Sequence, residues 1–321
     1  MNLLYSFIIP VYNRPFEVEE LLESLVKQKG AIPFEVVLVE DGSTETSAKV
    51  VKKYTNDLAI KYFVTENQGA GKSRNYGMEK ASANYFIILD SDCILPENYL
   101  QEVDKALKLK FTDAFGGPDA AHKNFTDIQK AINYSMTSFF TTGGIRGKKK
   151  GVGKFQPRSF NFGISKKAFE NTAGFSDLKI GEDIDLTFRL WEAGFETQLL
   201  EKAFVYHKRR ATFQQFYEQT KSFGSARPLL NKRYPGSAKI TYWFPSVFYV
   251  SFLFALSLYM ATEVFFFIEL FYLYFFLVFV HSSILNKSIK VGVLSVLSTA
   301  IQFYGYGTGF LRSYFSTKIK P

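Results

Sequence analysis

Between Ser6 and Leu89 short apolar runs alternate with amphipathic stretches, and no other feature limits so sharply what the chain can fold into. Residues 6–11 (SFIIPV), 34–39 (FEVVLV), 59–64 (AIKYFV) and 85–89 (YFIIL) read as strands, while 16–29, 44–54 and 71–81 carry helical spacing. Repeated strand-helix-strand units predict an α/β fold, a mostly parallel sheet flanked by helices with right-handed crossovers. In such sheets ligands lie beyond the carboxyl ends of the strands, so the informative residues are those just after each apolar run. With 47% apolar and 21% charged residues, the chain has material for a core and is neither disordered nor collagen-like.

Acidic residues stand where this fold expects a site. Glu40, Asp41, Gly42 and Ser43 follow the second run and Asp90, Ser91 and Asp92 the fourth, which predicts two neighbouring strand ends presenting carboxylates to one crevice. Two apart in extended backbone, Asp90 and Asp92 share a face and suit one hard cation, or a ribose and a cation. Mg2+ or Mn2+ matches oxygen ligands of this kind. Gly69, Gly71, Lys72 and Arg74 open a helix that either binds phosphate or is capped by an ordinary glycine loop. Gly-Ala-Gly-Lys-Ser is too short for a Walker A motif, which excludes a P-loop.

Further on, Glu182, Asp183 and Asp185 open another helix, where the dipole favours acids. Capping accounts for Asp185. If the crevice holds a sugar donor, Glu182 and Asp183 offer a carboxylate to take a proton from an acceptor hydroxyl. His207 follows another short apolar strand and is either structural or a metal ligand. Cys93, the one cysteine, excludes an internal disulfide and a cysteine-based zinc cage.

The last 80 residues differ in kind, with five basic and two acidic side chains. Residues 242–262 carry no charge, 264–285 carry only Glu269 and His281, and 291–311 carry none. Each stretch reaches the roughly 20 residues that cross a bilayer as a helix. The third contains Gly292, Gly305, Gly307 and Gly309 with Ser295, Ser298 and Gln302, which suits close packing or an interfacial path as well as a span. Eight basic residues between Lys208 and Lys239 precede the first stretch and, by the positive-inside rule, hold the N-terminal region on the cytoplasmic side. The N-terminus does not read as a signal peptide, because Pro10 and Asn13 interrupt its apolar run. The formal charge of +9 favours anionic partners, but the basic residues cluster beside the apolar segments and the crevice is acidic, so no nucleic acid is expected.

Four motifs in order, FIIPVYNRP at 7–15, VEDGSTETS at 39–47, ILDSDC at 88–93 and GEDIDLTFRLWEAG at 181–194, resemble the inverting glycosyltransferases of family 2. The resemblance covers about residues 5–225 and implies the GT-A fold, a Rossmann-like nucleotide-sugar-binding architecture. By it, the backbone of Pro10, Val11 and Tyr12 and the Asp41 carboxylate hold the base of a nucleotide-diphospho-sugar. Asp90 approaches the ribose, Ser91 belongs to the nucleotide-sugar-binding set, and Arg74 lies near the phosphates. Asp92 and His207 bind Mn2+ or Mg2+ on the diphosphate. Asp183, with Glu182 beside it, is the catalytic base.

The implied organisation is a catalytic domain over 1–225, a basic juxtamembrane linker over 226–241 and a membrane region of two to three helices over 242–321. Processive synthases of this superfamily carry Gln-X-X-Arg-Trp, and neither Trp191 nor Trp243 follows Arg, so single addition is expected. The expected acceptor is a lipid-linked saccharide or glycolipid in cell-surface polysaccharide synthesis, at the inner (cytoplasmic) membrane with the catalytic domain facing the cytoplasm. Transfer to polyprenyl phosphate is an alternative. So is a catalytically silent membrane scaffold, against which the joint retention of Asp41, Asp90, Asp92, Asp183 and His207 argues. The glycine- and lysine-rich stretch 143–154 is a candidate closing loop.

Overall fold

The computed structural model describes residues 4–120, 122, 124–142 and 155–319; the 143–154 stretch lies outside them. Two compact units are present, one formed by Met1–His122 with Lys149–Lys208 and the other by Lys123–Lys148 with Arg209–Pro321.

The first unit runs β1 (Tyr5–Val11), α1 (Pro15–Val26), β2 (Phe34–Asp41), α2 (Ala48–Tyr54), β3 (Ile60–Thr65), α3 (Ala70–Lys80), β4 (Tyr85–Leu89), β5 (Cys93–Ile94), α4 (Tyr99–Leu109), β6 (Ala114–Gly116) and β7 (Asp119–Ala120). The chain then gives α5 (Asp127–Thr137) and α6 (Phe139–Thr142) to the second unit. It returns with β8 (Asn161–Ser165), α7 (Lys166–Thr172), α8 (Glu182–Glu192), β9 (Thr197–Leu199) and β10 (Val205–His207). The strands and helices read from the apolar pattern are all present, with ends shifted by a few residues.

Seven strands form one sheet in the order β3-β2-β1-β4-β8-β6-β9. The first four are parallel, β8 is antiparallel to β4 and β6, and β9 is parallel to β6. The expectation that the strands leading to Asp41 and Asp90 are neighbours is corrected here, because β1 lies between them. The chain steps outward from β1 to β2 and β3 and then crosses back to lay β4 on the other edge of β1. This reversal opens a crevice at the strand ends.

Alternation decides the two sides of the sheet. Phe7, Ile9 and Val11 of β1 pack with Val18, Leu21, Leu22 and Leu25 of α1 and Val103 and Leu107 of α4. Ile8, on the other face, joins Val37, Val39 and Phe86 against Met78 of α3 and Leu186 and Leu190 of α8. Each such side chain removed from water contributes roughly 1.5–3 kcal/mol. A small second sheet, β5-β10-β7, sits where the crevice needs it: its register pairs His207 with Cys93.

The second unit continues with α9 (Phe213–Arg233), α10 (Phe244–Thr262), α11 (Phe266–Asn286) and α12 (Ile289–Ile319). Position 225 falls inside α9, and 226–241 holds the rest of that helix, a short 3-10 turn at Pro235–Ser237 and the start of another at Ile240–Trp243. Among the described residues two helices are long and apolar enough to cross a bilayer, Ile240–Thr262 and Phe266–Asn286. Only 11% and 17% of their most apolar windows are buried, unlike the core helices of a soluble domain. Of the expected two to three, α12 is not among these candidates. It is a packed helix instead: Ser298 donates to the Ala131 carbonyl at 2.9 Å, and the buried Ser295 and Ser282 hydroxyls meet at 2.7 Å. At Gly309 an added Cβ would lie 2.1 Å from the Lys221 carbonyl oxygen, so only glycine admits this approach of α9 and α12.

Candidate active site

The crevice is built from the ends of β1, β2, β4 and β10 and the start of α8. Pro10 and Val11 end β1 buried, and Tyr12 beyond them is 51% exposed. β2 continues through Asp41, two residues past its apolar run, which sends Glu40 and Asp41 to different faces. Glu40 is fully buried and accepts from the Ser43 hydroxyl (2.5 Å), the Ser47 N–H (2.9 Å) and the Tyr62 hydroxyl (3.0 Å). It fixes its own loop, so its expected presentation to the crevice is corrected. Burial and the Glu40 charge push the Tyr62 hydroxyl up to about 12.

Asp41 accepts the Gln68 and Gly69 N–H groups at 2.8 and 3.0 Å, one on each oxygen. Gly42 follows with φ +69°, and a Cβ there would lie 2.5 Å from the Asn67 nitrogen, so this turn requires glycine. Asn13 Oδ1 accepts the Thr44 and Glu45 N–H groups at 2.8 and 2.9 Å, tying the end of β1 to the same loop.

Asp90, Ser91 and Asp92 form a turn and not the extended segment expected, with the Cys93 N–H donating to the Asp90 carbonyl at 3.1 Å. The turn still gathers both carboxylates at one imidazole: His207 Nε2 lies 3.1 Å from Asp92 Oδ1 and 3.9 Å from Asp90 Oδ2. The β5-β10 register brings His207 there, helped by the Lys208 N–H donating to the Asp92 carbonyl at 3.1 Å. Phe160 stacks on the His207 ring with centroids 4.8 Å apart. Burial alone would raise the Asp92 carboxyl, but His207 and Arg14 hold it well below the usual range.

These two side chains fit a divalent cation. Cis ligand atoms with bonds of about 2.1 Å stand about 3 Å apart on an octahedral ion, close to the 3.1 Å between Asp92 Oδ1 and His207 Nε2. Asp92 Oδ1 is buried and faces His207 Nε2 without a well-formed hydrogen bond between them. Cys93 Sγ completes a group of donors within 4.8 Å of one another. Its thiol donates to the Phe160 carbonyl at 3.4 Å and burial pushes it up, so it stays protonated and is the poorest ligand of the three.

Arg74 is not spread on the surface to meet phosphate. It is 4% exposed and donates to Asp90 Oδ1 at 2.8 Å and Glu182 Oε1 at 2.9 Å, with its guanidinium 5.2 Å from the Phe175 ring centroid. Burial pushes the Glu182 carboxyl up, opposed by Arg74 and reinforced by Asp183. At the start of α8, Asp183 Oδ1 accepts the Ile184 N–H at 2.8 Å, while Oδ2 has the Ser159 N–H at 3.4 Å and Arg158 Nη1 at 3.8 Å. Asp185 is fully buried and pairs with Arg189 at 3.0 Å, so the capping role expected for it is corrected.

Direct contacts thus join His207 to Asp92 and Asp90, and Arg74 joins Asp90 to Glu182. Ser91 lies in the turn between the two aspartates, Asp183 follows Glu182 in α8, and Asp41 ends β2, which pairs with β1. Sequence reasoning gave no role to Arg14, Arg158 or Phe160. Arg14 carried a usable signal, a cation just past a strand end.

This sheet and crevice define a nucleotide-sugar-dependent transferase fold of the GT-A type. The sequence profile of Glycosyl transferase family 2 matches residues 6–172 and that of Glycosyl transferase family group 2 matches 159–285. The chain belongs to glycosyl transferase family 2.

Among solved structures, the mannosyltransferase PcManGT from Pyrobaculum calidifontis, in complex with GDP-Man and Mn2+, superposes with a TM-score of 0.61 at 15% identity, covering 96% of this chain and 86% of that one. At that identity the likeness establishes the fold. Poly(ribitol-phosphate) beta-N-acetylglucosaminyltransferase TarS of Staphylococcus aureus is 37% identical over 150 residues, 41% of this chain and 26% of TarS. Glycosyltransferase GlyG of Streptococcus pneumoniae is 25% identical over 220 residues, 66% of this chain and 72% of GlyG. The chain therefore spans about a quarter of TarS.

Proposed function

We propose that the chain transfers a sugar, with inversion, from a nucleotide-diphospho-sugar to an acceptor hydroxyl at a membrane. The observation that carries this reading is the 3.1 Å approach of Asp92 and His207 in the crevice where Arg74 joins Asp90 to Glu182. Asp92 and His207 hold Mn2+ or Mg2+, which when bound offsets the charge growing on the departing diphosphate. Asp90 and Ser91 meet the ribose. Asp41 and the backbone of Pro10, Val11 and Tyr12 meet the base, since a carboxylate that accepts two amides keeps lone pairs for a third donor.

Asp183 takes the proton of the acceptor hydroxyl, which attacks the anomeric carbon opposite the leaving group; no covalent sugar intermediate is needed. Glu182 is committed to Arg74 and positions the base. The GDP-Man and Mn2+ of PcManGT and the acetylglucosaminyl transfer named for TarS agree with a nucleotide-sugar donor and a divalent cation.

The two apolar helices support anchoring in the inner membrane, and by the positive-inside rule the eight basic residues before them favour a catalytic unit on the cytoplasmic side. The acceptor in this reading is a lipid-linked saccharide or glycolipid destined for the cell surface. The test is thermal shift of the full chain in detergent against a panel of nucleotide-sugars with Mn2+, repeated with Asp92→Ala. A selective donor whose stabilisation needs Mn2+ and vanishes in the variant supports the reading; stabilisation unchanged in Asp92→Ala overturns the cation site. Assays with polyprenyl phosphate and with saccharide-lipid then separate the acceptors.

A further inference from the structure

Arg14 is a cation beside the proposed metal ligands that the proposed chemistry leaves without a role. Its Nη1 lies 2.5 Å from Asp92 Oδ2, on the carboxylate whose other oxygen faces His207. The backbone around it is fixed, because its carbonyl accepts the Val18 N–H at 3.1 Å in the first turn of α1. The side chain is 34% exposed, whereas Arg74 is 4% exposed and committed to two carboxylates. Of these two arginine side chains, that of Arg14 is the one partly open to solvent.

We propose that Arg14 makes cation binding conditional on the diphosphate. With no nucleotide present, its guanidinium shares the Asp92 carboxylate and repels a divalent ion arriving at the opposite oxygen. A diphosphate bound to that ion presents oxygens to the same guanidinium, and a forked Arg-phosphate contact turns repulsion into attraction. Cation and nucleotide then strengthen each other, and by linkage the gain is the same in either order. The inference rests on Asp92 and His207 being the cation ligands.

The experiment is titration of the full chain in detergent with Mn2+, following the electron paramagnetic resonance of the free ion, alone and with saturating UDP or GDP. Wild type is expected to bind Mn2+ weakly alone and much more tightly with the fitting nucleotide. Arg14→Gln is expected to bind Mn2+ alone about tenfold more tightly and to lose about tenfold of the nucleotide-dependent gain, the order of effect for one unit charge beside a solvated site. The Mn2+-alone titration decides by itself: equal or weaker binding by Arg14→Gln overturns the proposal.

Asp92→Ala separates the two ideas. If it abolishes Mn2+ binding while Arg14→Gln behaves as wild type, only the role of Arg14 falls. If Asp92→Ala binds Mn2+ normally, both fall. Should Arg14→Gln fail to fold, Arg14→Lys keeps the charge without the fork; it is expected to bind Mn2+ alone as weakly as wild type but to lose the nucleotide gain, and retention of that gain overturns the proposal.

Discussion

Asp90 and Glu182 share one guanidinium: Arg74 donates to Asp90 Oδ1 at 2.8 Å and to Glu182 Oε1 at 2.9 Å. The end of β4 and the start of α8 are distant in the chain, and this bridge fixes their spacing. It therefore sets the distance between the proposed donor contacts and the base beside Glu182. Arg74 is 4% exposed, Glu182 15% and Asp90 29%, so the guanidinium and its Glu182 contact are screened little by solvent and salt.

Removing that charge leaves two carboxylates facing each other. Arg74→Met is expected to destabilise the chain by about 3–5 kcal/mol, the cost of breaking one side of a buried ion pair. Arg74→Lys restores only part, because a single ammonium cannot reproduce two diverging N–H directions. Thermal unfolding of the three proteins in detergent checks the order; an Arg74→Met protein as stable as wild type would show the bridge to be dispensable.

At the opposite end of the sheet, Glu35 laces three elements together. Its carboxylate accepts from the Ser6 hydroxyl (2.6 Å) and the Ser82 N–H (2.5 Å) and meets Lys61 Nζ at 2.9 Å. Burial would raise its carboxyl, but the Ser6 hydroxyl, Lys61 and the Ser82 N–H together hold it below the ordinary 4.5. A carboxyl depressed in the folded state adds stability that is present above the unfolded value and is lost as pH falls through the folded one. Glu35→Gln should therefore lower the melting temperature near neutrality, and the gap to wild type should narrow as pH falls below 4.5. A gap that stays constant on acidification would exclude Glu35 as the source.

The packing of α9 on α12 makes a different prediction. A Cβ at Gly309 would sit 2.1 Å from the Lys221 carbonyl oxygen, whereas one at Gly236 would meet nothing within 4 Å. Backbone, unlike a flexible side chain, cannot step aside cheaply, so Gly309→Ala is expected to cost about 1–3 kcal/mol. Gly236→Ala should be close to neutral. Melting curves of the two single variants compare them directly, and equal losses would mean that the helix contact is not as close as described.

What could be read from the sequence divides along a physical line. Strands β1 to β4 and the helices between them were legible because each is long enough for its apolar period to show. Asp90, Asp92 and His207 were legible as candidates because each stands at the end of an apolar run. The roles of Glu40 and Arg14 were not. β2 runs two residues past its apolar segment, and that extension sends Glu40 inward. Arg14 meets Asp92 only because β4 lies beside β1, a long-range pairing that no local pattern contains. The strands β5 and β10, of two and three residues, are too short to carry a periodic signal, yet their register delivers His207.

The two acids that open α8 make the sharpest catalytic prediction. Glu182 spends its charge on Arg74, while among the described residues Asp183 Oδ2 has the Ser159 N–H at 3.4 Å and Arg158 at 3.8 Å, both longer than a strong charge-assisted bond. An oxygen held loosely can accept the proton of an incoming hydroxyl; one locked to a guanidinium cannot do so without breaking the bridge. Asp183→Asn is thus expected to lower kcat by about 10²–10⁴ with donor affinity unchanged. Glu182→Gln should act through position, losing thermal stability and donor affinity along with a smaller part of kcat. Donor binding by calorimetry and single-turnover transfer by each variant separate the two, and transfer by Asp183→Asn at the wild-type rate would pass the role of base to another residue.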